Sequence, residues 1–345
     1  MTEQKNTSIS AGNAFNTLKK MGYSQGFIQK LLPEWWDNNL LKTSAGSFQF
    51  AMVLRQKLGI GVSFSDSGEL LIHNQIDGVL FKHTKNTLPE QLVIAANLGY
   101  ALGLLASLCI KKYANSLIRD PITLRKTIMR DFNKKNVDFE SLLKYCWSIG
   151  IPVLFLNDLP KKVKKMMGMA AFCHGRPTII LGFKNNQASR QLFVLAHELG
   201  HIACGHVVPG HIMVDESIHD VIDSISDRSL SKKDKEEKEA DEFALKLIRG
   251  NVIDPVANLD PKFNATSLAA YAILESDKLK IDAGHLILSY AKLYDDWSKA
   301  NLAMNFIPNQ SGALDVLKQQ FLNNAILTHL SEDNEKYLIS AQGFM

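Results

Sequence analysis

The chain has few cysteines, and none of them are paired. Cys109, Cys146, Cys173 and Cys204 are the four among 345 residues, and no two stand at CxxC spacing. That usage excludes a disulfide framework and suits a reducing compartment. Charge of one sign is also missing. Lys+Arg 39 against Asp+Glu 35 leaves a net +4, so nothing global argues for a nucleic-acid partner. The lysine runs at 161–165 and 232–238 read as solvated faces or loops. The opening MTEQKNTSISAGNAF lacks the apolar core of an export signal, and a cytoplasmic location is expected. The one long stretch without charge, Leu92–Ile110, is long enough to cross a bilayer and carries Gly99 and Gly103 at GxxxG spacing. Asn97, Tyr100 and Ser107 interrupt it, Ala and Gly outnumber Ile and Val, and no second span accompanies it. It is read as a buried helix of a soluble domain, with the glycines letting another helix approach. No membrane partner is expected.

Hydrophobic residues make up 46% of the chain, enough for sizeable cores, and the length suits two or three units. Four regions are expected. Residues 1–60 read as helical, with candidates at Ala14–Met21, Ser24–Leu32 and Ser44–Leu58 broken by Pro33-Glu34-Trp35-Trp36-Asp37. A helix-turn-helix within Asn16–Leu32 lacks a basic recognition face. Residues 61–120 read as short strands around Asp66-Ser67-Gly68, followed by the uncharged helix. Residues 121–250 hold an amphipathic helix at Asp138–Ile149, strands at Ile151–Leu156, Gly168–Phe172 and Pro177–Leu181, and two further helices separated by a polar loop over 207–234. Residues 251–345 read as helical, clearest at Ser267–Ser276, Asp282–Tyr294 and Leu314–Leu330. The fold class expected is α+β: mainly helical, with a small mixed sheet packed on a motif-bearing helix, between helical terminal regions.

The motif is His197-Glu198-Leu199-Gly200-His201, the HExxH pattern, within ASRQLFVLAHELGHIACGH. Residues four apart stack on one face of a helix, so both imidazoles can reach one metal ion. Glu198 lies about 100° round from His197, placed to act as general base on a metal-held water. Leu192–Ala196, Leu199, Ile202 and Ala203 make the helix apolar nearly all round, as in a buried helix. A metzincin would need Gly at 204 and His at 207. Cys204 and Val207 stand there, so that class fails. His206 is one residue short and, on a continued helix, points away from His197. A carboxylate from a second helix is the better third ligand, and Glu237-Lys-Glu-Ala-Asp241 offers one.

The run from IPVLFL through GMAAFCHGRPTIILG and LAHELGHIACGH to EKEADEFALKLI resembles the ImmA/IrrE family of metallopeptidases over roughly residues 138–250. The resemblance implies a zinc-dependent endopeptidase of small α+β, zincin-like type. It implies His197, His201 and Glu237 as zinc ligands and Glu198 as the base. It further implies a protein substrate, a helix-turn-helix repressor or antitoxin-like regulator encoded nearby. A non-catalytic zinc module that sequesters such a partner is the alternative, and direct nucleic-acid binding is not expected. The sequence departs from the family pattern where the second helix ends in Leu247-Ile248-Arg249-Gly250.

Helical phase bears on the third ligand. With Lys235–Arg249 wound at about 100° per residue, Ala240, Ala244, Leu247 and Ile248 form an apolar face. Glu237 falls in its middle, while Glu239 falls opposite among solvated residues and Glu236 at the edge. A carboxylate in a buried face needs a strong partner. Asp241, one turn on, can accept the free ring N–H of a ligating histidine. Three histidines in flanking loops, His174, His211 and His219, are candidates to stabilise an oxyanion. Two finer expectations concern the strands. Ile179 and Ile180 would lie on an edge that adds a substrate strand. Cys173 could occupy a fourth zinc position as a gate.

Overall fold

The computed structural model describes residues 10–74, 78–82, 90–111, 116–182, 186–209, 211–215, 232–256, 259, 262–308 and 312–345. In chain order, α1 spans Ala11–Lys20, α2 Gln25–Leu31 and α3 Ser44–Leu58, with a 3-10 turn at Asn38–Lys42. Strands β1 (Ile60–Phe64), β2 (Leu70–Asn74) and β3 (Gly78–Lys82) precede α4 (Glu90–Leu108). Then come α5 (Pro121–Asp131), α6 (Phe139–Ser148), β4 (Val153–Phe155), β5 (Gly168–Cys173), β6 (Arg176–Leu181), α7 (Ala188–Cys204), β7 (His211–Asp215) and α8 (Lys232–Arg249). The C-terminal helices are α9 (Ala265–Leu279), α10 (Ala283–Tyr294), α11 (Trp297–Met304), α12 (Ala313–Asn324) and α13 (Glu332–Ala341). The α+β class, mainly helical, is the one observed.

Local chemistry sets many of these boundaries. Ser24, Thr43, Asp120, Asn264 and Asp282 each cap a helix by accepting from a backbone N–H in its first turn. Asp138 and Ser141 form a reciprocal capping box on α6. Gly59 and Gly205 end α3 and α7 in the left-handed conformation.

β1 and β2 form an antiparallel hairpin around the Asp66-Ser67-Gly68 turn. The main sheet has five strands in the order β3-β7-β5-β6-β4. It is mixed: β4 runs parallel to β6 and β3 parallel to β7, while β5 is antiparallel to both its neighbours. α4 lies on one face. A Cβ added at Gly99 would sit 2.9 Å from the Met169 methyl, and one at Gly103 2.6 Å from Cys173 Sγ. α7 covers the other face, where Glu198 lies against Gly168. Side chains alternate along a strand, so Met169, Ala171 and Cys173 face α4 while Gly168 and Ala170 face α7. The Gly99/Gly103 pair therefore admits the sheet rather than another helix. No helix among the described residues is long and apolar enough to cross a membrane.

The structure differs from the sequence reading in several places. The polar loop expected over 207–234 contains β7, whose Ile212, Met213 and Val214 are buried; three apolar residues between polar flanks are too short a run to show a period. β3 joins the main sheet rather than the neighbouring hairpin, a pairing made across more than a hundred residues. The helix expected over Leu314–Leu330 ends at Asn324, and Leu327–His329 is a separate 3-10 turn. α5 is not expected from the sequence, while α11 and α13 lie within the helical region expected over 251–345 without being separated there.

The terminal regions are tied to the centre by buried polar contacts. Lys57 Nζ donates to the Leu31 carbonyl at 2.7 Å, and Tyr337 Oη donates to the Lys57 carbonyl at 2.6 Å. Gln342 accepts from Phe155 N at 3.2 Å, which covers the open side of edge strand β4. Arg125 on α5 donates to the Leu247 and Ile248 carbonyls at 3.2 and 2.6 Å, and also to Lys280 O. These bonds satisfy carbonyls that the end of α8 would leave open, and they anchor the helix that carries Glu237.

Candidate metal centre

α7 and α8 pack with their backbones unusually close, because position 200 is glycine. A Cβ there would lie 2.9 Å from the Ala240 carbonyl oxygen and 3.1 Å from its Cα. The Gly200 of the motif thus sets the separation across which His197 and His201 face the first turns of α8. All three motif side chains are fully buried. Glu237 and Asp241 are 6% exposed, as the apolar-face argument required of Glu237.

Three donors converge at one point. His197 Nε2 and His201 Nε2 are 3.0 Å apart. Glu237 Oε2 is 3.5 Å from the first and Oε1 3.7 Å from the second. A tetrahedral ion with ligands at 2.0–2.1 Å needs ligand atoms about 3.3 Å apart, and these separations bracket that value. The donor set of two imidazoles and a carboxylate suits a divalent transition ion, so His197, His201 and Glu237 could hold a metal. Asp241 Oδ1 lies 2.7 Å from His197 Nδ1, where it accepts that ring N–H and leaves Nε2 bare toward the centre.

Glu198 projects from the same helix toward the start of β5. An added Cβ at Gly168 would overlap its carboxylate, so glycine there is what lets Glu198 lie beside the strand. Sequence reasoning placed Gly168 in a strand but found no reason for it. The only signal was a glycine at the start of an apolar strand, where a close approach is a common cause.

His206 is also placed differently from the continued-helix expectation. Gly205 turns the chain at φ +83, and His206 Nδ1 comes to 3.0 Å from His201 Nδ1. Its Nε2 lies 2.9 Å from Glu239 Oε2, so Glu239, expected to be simply solvated, has a partner.

The two finer strand expectations are corrected. Ile179 and Ile180 are not on an edge: β6 is paired on both sides, Ile179 with Val153 and Ala170, and Ile180 with Leu154 and Met169. No main-chain groups remain there to receive a substrate strand. Cys173 lies at the opposite end of β5 from Gly168, about 17 Å away at strand rise. It packs against Gly103 on the α4 face. Burial pushes its thiol up to about 12, so it is neither near the centre nor a thiolate. His174 sits beyond it in the β5–β6 turn, bonded to Ser107 Oγ at 2.8 Å, and is equally distant. The His211 backbone lies past the Ile212–Ala171 pair, toward that same far end. His219 lies outside the described residues.

A buried HExxH helix, a carboxylate from a second helix that could join its histidines on a metal, and Glu198 beside a sheet form a metallopeptidase-like arrangement. Residues 126–248 match the family of the IrrE N-terminal-like domain, a peptidase family. That segment is similar to the ImmA/IrrE family, which suggests a metallopeptidase-like role. No match is found among curated proteins or solved structures.

Proposed function

We propose that the protein is a zinc-dependent endopeptidase that cuts one specific protein partner, a helix-turn-helix repressor or antitoxin-like regulator. The observation that carries the reading is the convergence of His197, His201 and Glu237 beside the buried carboxylate of Glu198, inside the segment that matches a peptidase family. The two imidazoles and Glu237 would hold the ion. Zinc bound there supplies a Lewis acid for the scissile carbonyl and a water of lowered pKa. Glu198 takes the proton of the attacking water and delivers it to the leaving amine. Asp241 holds the His197 ring in the one tautomer that presents Nε2 inward. β6 is paired on both sides, so Ile179 and Ile180 offer no free edge to substrate, and the family resemblance supplies the partner class.

The test is co-expression with the proteins encoded beside it, comparing wild type with Glu198→Gln. The expected result is a truncated partner with wild type and an intact one with the variant, a loss of at least about 10²–10⁴-fold, while zinc content stays near one per chain. Equal cleavage by both would refute the role of Glu198.

A further inference from the structure

His206 and Glu239 lie outside the set that could hold the ion, yet they are built onto it. α7 ends at Cys204, and Gly205 adopts the left-handed conformation with φ +83 and ψ 20. His206 N then bonds to the His201 carbonyl at 2.9 Å. On a continued helix position 206 would point about 140° away from His201. The turn instead brings the two rings to a centroid separation of 5.2 Å. The His206 side chain is 6% exposed, whereas Glu239 is 62% exposed.

Counting protons leaves one arrangement. His201 Nε2 faces His197 Nε2 and Glu237, so it must be bare to bind a cation. A neutral imidazole carries one proton, which for His201 then sits on Nδ1. The group facing it at 3.0 Å is His206 Nδ1, which must be the acceptor because two N–H groups cannot bond to each other. His206 therefore carries its proton on Nε2, 2.9 Å from the Glu239 carboxylate. His197 is supported by the same logic with one fewer link, since its Nδ1–H meets Asp241 directly.

We infer that His206 and Glu239 are positioning residues that fix the tautomer and ring orientation of His201, doing through an imidazole what Asp241 does for His197. The inference rests on the metallopeptidase reading of the site. It makes Gly205 part of the same device, because a side chain at that positive φ would strain the turn that delivers His206.

The experiment measures zinc affinity by competition with a chromophoric chelator for wild type, His206→Leu, His206→Asn and Glu239→Ala. Titrations stop at one equivalent, because Cys204, His206 and Glu239 also present donors within 4.8 Å of one another. His206→Leu is expected to weaken binding about 10–100-fold, the range for a lost contact behind a ligand. His206→Asn, whose amide oxygen can accept at the Nδ1 position, should recover most of it. Glu239→Ala changes an exposed side chain, so its thermal midpoint without metal should match wild type while its affinity falls severalfold. Nitrogen NMR of the zinc-loaded wild type should place the His206 proton on Nε2. Wild-type affinity in His206→Leu, no recovery in His206→Asn, or a proton on His206 Nδ1 would overturn the inference. If His206→Leu fails to fold, Glu239→Ala and the tautomer decide. Wild type that binds no zinc at all would instead remove the proposed function.

Discussion

α8 passes through two buried histidine clusters that are built from similar parts and do different things. Near its start, Glu237 and Asp241 face His197 and His201. At its end, Arg249 faces His285. Arg249 Nε donates to His285 Nε2 at 2.8 Å, one terminal nitrogen to Ser289 Oγ at 3.0 Å, and the other to the Ile253 carbonyl at 3.2 Å. Burial and the neighbouring guanidinium hold His285 well below its usual 6.5. Burial also lowers Arg249 to about 10, leaving it charged at neutral pH. The second cluster thus contains its own cation, and its imidazole lone pair is already used. The first brings two imidazole nitrogens and a carboxylate to one point, beside a second carboxylate on His197. Buried histidines become ligands or structural acceptors according to the charge of what faces them.

Exchanging or removing those facing groups tests the contrast. The largest effect is expected from Glu237→Gln, which keeps the shape but removes a ligand charge. Zinc affinity should fall by more than about 100-fold, beyond the range of a lost supporting contact, as read by chelator competition; an unchanged affinity would show that Glu237 is not a ligand. Arg249→Met should instead act on stability. It leaves the buried His285 and Ser289 acceptors without their donor, costing about 2–3 kcal/mol in urea unfolding of the metal-free protein, with zinc affinity of the folded fraction within about twofold of wild type. Loss of zinc binding at unchanged stability would mean the two clusters are not separate. Asp241→Asn comes next, with affinity about 10–100-fold lower and the unfolding midpoint of the metal-free protein barely moved.

The smallest effect is in pH. His285 has a folded pKa below its unfolded value, so the unfolded chain takes up the proton first. Stability is unaffected above about 6.5 and falls below it, by up to about 1.4 kcal/mol per pH unit. His285→Gln, which can still accept from Arg249, should flatten that part of the curve between pH 6.5 and 5. Identical wild-type and variant slopes would show that His285 does not contribute.

Sequence by itself reached the parts of the site that depend on periodicity along one helix. His197 and His201 share a face because they are four apart, and Glu237 was separable from Glu239 because the α8 apolar face repeats at the helical period. Tertiary structure decided everything that depends on which elements meet. A strand's sequence does not show whether both its sides are paired, so Ile179 and Ile180 read as an edge although β4 and β5 flank them. Cys173 is near the motif in sequence but at the wrong end of an extended strand. Gly168 and Gly200 looked like ordinary glycines until Glu198 and Ala240 were found against them. His206 was lost to the assumption of a continued helix. One left-handed glycine was enough to turn it back, and nothing in a helical wheel represents a change in chain direction.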